Sequence, residues 1–91
     1  LSPYKKIIFH DSSLTAVSRS RSRTIQYTDI VVLRETRRNS VLLVSKNMKL
    51  SILGRTTEAH SIDDKSRTAN IIREEIRKRT GVTIPVVYKD L

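Results

Sequence analysis

The sequence predicts a small α+β domain: an antiparallel sheet or partly closed barrel packed by one C-terminal helix, then a short extended segment. Three observations predict it. Thr24 to Gly54 reads as three strands joined by two turns. Ser61 to Thr80 has the apolar spacing and end signals of a helix, and Val82 to Tyr88 is β-branched again. No other stretch has a helical period.

The totals bound the class. Ninety-one residues make one domain, 1–91, with room for a single modest core. A mean hydropathy of −0.36 with 37% hydrophobic residues places it among soluble folded domains rather than disordered tails. The first residue is Leu1 rather than Met, as in a fragment of a larger protein, and a membrane anchor outside these residues is compatible with it. No run is long enough to span a bilayer and no secretory leader is visible, so a cytoplasmic setting is expected, at the inner membrane face if a membrane is the partner. With no cysteine, disulfides, thiolate metal sites and cysteine catalysis drop out. Eighteen Lys and Arg against nine Asp and Glu give +9, an excess that favours an anionic partner or serves solubility alone.

Taken in order, Tyr4 to His10 reads as a first strand with Ile7 and Phe9 on one face, and Asp11-Ser-Ser13 supplies a turn. Leu14 to Val17 begins a second strand, which runs into Ser18-Arg-Ser-Arg-Ser-Arg-Thr24. If extended, Arg19, Arg21 and Arg23 point to one side, about 7 Å apart. Such a row persists where it is solvated or meets anions, so an exposed strand segment or hairpin tip is expected. The plainer reading is a polar edge that discourages strand-to-strand aggregation. Ile25 and Tyr27 share one parity and Ile30 and Val32 the other, which places a turn or bulge near Asp29.

Asp29 to Arg34 and Ser40 to Val44 are nearly continuous in apolar residues, separated by Glu35-Thr-Arg-Arg-Asn39, a turn that carries Arg37 and Arg38. After Ser45-Lys-Asn47, Met48, Leu50 and Ile52 alternate with Lys49 and Ser51, the period of a half-buried strand. Gly54 to His60 is a loop or a short last strand. In the helix, Ser61 caps and Asp64 takes the capping-box position. Ile62, Ala69, Ile72 and Ile76, widened by Ile71, form the buried stripe. Gly81 ends it as a C′ residue, with Val82 placed for a Schellman contact. Pro85 cannot donate to a ladder, so the last segment is expected at an edge.

No catalytic constellation emerges. His10 and His60 lie far apart, no G-x-S-x-G frames a serine, and metal-ligand spacing is missing. Two glycines cannot build a phosphate-cradling loop, so no cofactor site is expected and a non-enzyme is. Nucleic-acid binding fits the charge, but the aromatics are only Tyr4, Phe9, Tyr27 and Tyr88, few for stacking bases. The helix also carries both signs.

Arg23-Thr-Ile25-Gln-Tyr27-Thr-Asp29-Ile30 resembles the phrase by which one strand enters the next in bacterial pleckstrin-homology-like (PH-like) domains. Ile71-Ile72-Arg-Glu-Glu-Ile76 is similar to their closing helix, and the resemblance spans about Lys5 to Thr80. It implies two antiparallel sheets closed at one corner by the helix and a binding or assembly role without catalysis, commonly in membrane-associated proteins. It also implies an anion site, with Lys5 or Lys6 and Arg19, Arg21 and Arg23 in the places that lipid-binding members use. Val82 to Tyr88 lies beyond the family pattern and is left to pair with a neighbouring subunit or domain.

Three functions follow as expectations. The first is a lipid- or protein-binding module whose anion contact is carried by Arg19, Arg21, Arg23, Lys5 and Lys6, with Arg37 and Arg38 as a second patch. The second is a nucleic-acid-binding domain using the same arginines. The third is an oligomerisation domain, through 82–88, whose charge only keeps it soluble. Convergence of the arginines with Lys5 or Lys6 on one concave spot favours lipid, a long basic stripe favours nucleic acid, and an exposed apolar edge at Ile84 to Val87 favours assembly.

Overall fold

Short β-branched runs separated by polar pairs dictate hairpins, and hairpins are what the chain forms. The computed structural model describes residues 3–36, 40–53 and 65–88. The first three strands, β1 (Lys6–Phe9), β2 (Ser13–Val17) and β3 (Ser22–Gln26), make an antiparallel sheet in that order. A 3₁₀ turn, Tyr27–Asp29, leads into β4 (Ile30–Glu35), followed by β5 (Ser40–Ser45) and β6 (Lys49–Leu53). The helix α1 (Lys65–Thr80) comes next, then β7 (Val86–Tyr88). The second sheet runs β6-β5-β4-β7.

Parity explains which residues go inside. Leu14, Ala16 and Ile25 are buried on one face of the first sheet, and Leu33, Val41, Leu43, Leu50 and Ile52 on one face of the second. Ala69, Ile72 and Ile76 of α1 join them, so the predicted helical stripe is the buried face. Fully burying one such Leu or Ile stabilises by about 1.5–3 kcal/mol. The parity switch before Ile30 takes physical form as the 3₁₀ turn and a bulge at Ile30/Val32.

Two sequence expectations are refined. Gly81 ends α1 at φ 77°, and its N–H donates to the Arg77 carbonyl at 2.8 Å, the αL motif rather than the Schellman one. Val82 makes no Schellman contact: it is 54% exposed, and its N–H donates to the Thr80 hydroxyl at 3.1 Å. The last segment pairs with its own chain. β7 lies parallel to β4, with Leu33 opposite Val86 and the Leu33 N–H donating to the Pro85 carbonyl. The second sheet is therefore mixed rather than antiparallel, and Pro85 stands at an edge where no donor is required of it. Ser61, Ile62, Asp64, Gly54 to His60 and the Arg37–Arg38 turn lie outside the described residues.

The two sheets do not close into a barrel. They are stitched at one corner, where Tyr4 bridges Ile52: the Tyr4 N–H donates to the Ser51 carbonyl and the Leu53 N–H to the Tyr4 carbonyl, both at 2.8 Å. The other corner is the 3₁₀ turn. Among the described residues, no helix is long and apolar enough to cross a membrane.

Candidate anion-binding cleft

Ser18 to Arg21 forms the β2–β3 turn, closed by the Ser18 N–H donating to the Arg21 carbonyl at 2.8 Å. The Arg-Ser repeat is thus a hairpin tip, and the continuous arginine row is broken. Arg19 and Ser20 occupy the exposed tip, Arg21 closes the turn, and Arg23 lies in β3. Arg23 pairs with Ala16, whose own partner on β1 is Ile7, so Arg23 lies on the core-facing parity at the end of the sheet, where the core runs out. A long cation at a core-facing position is a break in pattern of the kind that marks functional sites.

The opposite wall comes from the β5–β6 turn. Ser45 sets it: its hydroxyl donates to the Met48 carbonyl at 3.0 Å and accepts from the Met48 N–H at 3.2 Å. That fixes Met48 and directs Lys49, Leu50 and Ser51 along β6. Between the two hairpin ends lies a cleft of about 280 Å³ lined by Tyr4, Arg21, Arg23, Met48, Lys49, Leu50 and Ser51. Among the described residues, three cations line it and no carboxylate does. The Arg21 guanidinium stacks over the Tyr4 ring at 4.2 Å, a contact worth about 1 kcal/mol that also holds its plane fixed. Tyr4, buried at 3% exposure, is itself held by its bridge to β6, so the cleft inherits its rigidity from the corner that joins the sheets.

Of the residues expected at an anion site, Arg21 and Arg23 converge. Arg19 stays at the exposed tip, and Lys5 and Lys6 are exposed at the start of β1 and line no part of the cleft. Lys6 pairs with Val17 on the outer face of its sheet. Arg37 and Arg38 lie outside the described residues. Lys49 is the cation that sequence reasoning missed. Its alternation with Leu50 marked it as solvent-facing, but nothing local indicated that β6 would lie beside the β2–β3 tip.

The basic end of α1 is arranged differently. Glu74 pairs with Arg77 at 2.8 Å, and Glu75 pairs with both Lys78 and Arg79. The hydrogen bond from Arg77 holds the Glu74 carboxyl below its ordinary pKa, and that from Arg79 does the same for Glu75. These bases are engaged with carboxylates of their own helix. Comparison of the chain with family models, with curated proteins and with solved structures gives no match.

Proposed function

We propose that this protein is a non-enzymatic binding module of PH-like type that contacts an anionic membrane face through the cleft between its two hairpin ends. The observation that carries the reading is the concave meeting of Arg21, Arg23 and Lys49 with no carboxylate among the described lining residues. Like charges gathered in one concavity repel, and an anion relieves that repulsion. The stack of Arg21 on Tyr4 prepares one guanidinium without waiting for a ligand. The arrangement of two sheets and a C-terminal helix accords with the resemblance, and the parallel β7 departs from it.

Nucleic-acid binding through the same cations is the second reading. Against it, Tyr4 and Tyr27 are each 3% exposed and offer no stacking platform, and the basic stripe does not continue onto the ion-paired end of α1. Self-association through 82–88 is a third, with the outer edge of β7 and the exposed Val82 and Val87 available to it and Ile84 buried in the protein's own core.

Co-sedimentation with phosphatidylserine-containing vesicles, beside titrations with duplex and single-stranded oligonucleotides across a salt series, tests the proposal. The native domain is expected to sediment with anionic vesicles, and R21A/R23A/K49A to lose that binding. Tight oligonucleotide binding with a steep salt slope and no vesicle binding would replace this reading with the second.

A further inference from the structure

We infer that the outer face of the four-stranded sheet is the surface that lies against the lipid, so that the domain rests on an anionic bilayer with this face down and the cleft at its margin. The inference builds on the membrane reading and adds which surface makes the contact.

β4 and β5 each contain four consecutive apolar residues, Ile30 to Leu33 and Val41 to Val44, the pattern of strands covered on both faces, whereas β6 alternates. Core residues occupy only one of those faces. On the other, Val32 opposes Val44, Arg34 opposes Leu42, and β7 adds Val87 opposite Arg34. Val87 is 43% exposed, and Val31, the residue extruded by the bulge, is 50% exposed. The charges set among these aliphatic side chains are Arg34 and Lys49, both exposed, and no acid stands on this face among the described residues. Lys49 opposes Val44 here and also lines the cleft, so the apolar face and the cationic cleft are one continuous surface.

That chemistry selects among occupants. A second copy docked by this face would gather two Arg34 and two Lys49 side chains in one interface. No acid among the described residues of the face would pair them, an arrangement that costs energy. Protein interfaces are anchored by aromatic and Met side chains, and the described apolar residues here are Val and Leu alone. A bilayer needs no anchor pocket. It accepts shallow aliphatic side chains, lets Arg and Lys reach up to the headgroups, and rewards the positive field when anionic lipid is present.

The chain has no cysteine, so single labels can be placed without background. Val31→Cys, Val87→Cys and Ile8→Cys would each carry an environment-sensitive nitrobenzoxadiazole, Ile8 being the exposed aliphatic residue on the outer face of the other sheet. With vesicles of phosphatidylcholine and phosphatidylserine, the Val31 and Val87 labels are expected to shift to the blue and become shielded from an aqueous quencher, and the Ile8 label to stay exposed. V31D/V87D is expected to weaken vesicle binding at least about tenfold, since two aliphatic contacts are lost and two carboxylates meet an anionic surface. If the native domain binds vesicles but the Val31 and Val87 labels do not respond, or Ile8 responds equally, the inference fails and the cleft reading stands. A response that appears without vesicles and grows with protein concentration assigns the face to a second copy and also overturns it. If the native domain binds no vesicles at all, the cleft reading fails and this inference with it.

Discussion

Tyr27 is 3% exposed, and its hydroxyl donates to the His10 carbonyl at 2.7 Å across the first sheet's turn. Burial is the main cause that pushes its pKa above the ordinary 10.0, with the nearby Arg79 opposing. A raised pKa means the folded state keeps the proton when the unfolded chain has lost it. The resulting stability is present below the unfolded value and lost as pH climbs through the folded one. Urea unfolding is therefore expected to show stability falling above about pH 10 in the native protein and falling less steeply in Tyr27→Phe. At neutral pH, Tyr27→Phe should cost about 1 kcal/mol, because the His10 carbonyl loses its donor. That Arg21 and Arg23 share a side, and Ile25 and Tyr27 a parity, was legible in the sequence; that Arg23 takes the core-facing side was not, because the row reads as an exposed tip. Lys49 was not, because its role depends on which strand ends beside Tyr4, and no local pattern encodes that.

Helix α1 shows what its sequence promised at the end that is described. Gly81 sits at φ 77° with open space where a Cβ would go, so Gly81→Ala should cost about 1 kcal/mol through backbone strain alone, and Gly81→Asn less. Thermal melts of the three proteins would check the order. Glu75 is held below the ordinary carboxyl value of 4.5 chiefly by Arg79, so its contribution is present above that value and fades as pH falls through the lowered one. The pair is about a quarter exposed, and Glu75→Gln is expected to cost no more than about 0.5 kcal/mol at neutral pH, with the difference vanishing in acid melts. The choice of αL motif over Schellman was not legible: both begin with the same glycine, and the Thr80 hydroxyl decided it by taking the Val82 N–H.

For the whole molecule, fold class and strand order along the chain were readable from period and turn residues, but the partners across sheets were not. Val82 to Tyr88 illustrates the difference, since β-branching and Pro85 announce an extended edge without saying whose edge. Ile84, 4% exposed, roots this segment in the shared core. Ile84→Ala is expected to cost about 2–4 kcal/mol, read as a lowered urea midpoint with unchanged slope. The bridge between Tyr4 and Ile52 has a consequence for synthesis. The arginine hairpin leaves the ribosome well before β6 exists, so a nascent chain displays positive charge with no pocket to organise it. The cleft takes shape only when the far strand comes back to meet Tyr4. A peptide cut from the N-terminal sheet would carry the arginines and lack the wall that Met48 to Ser51 supply.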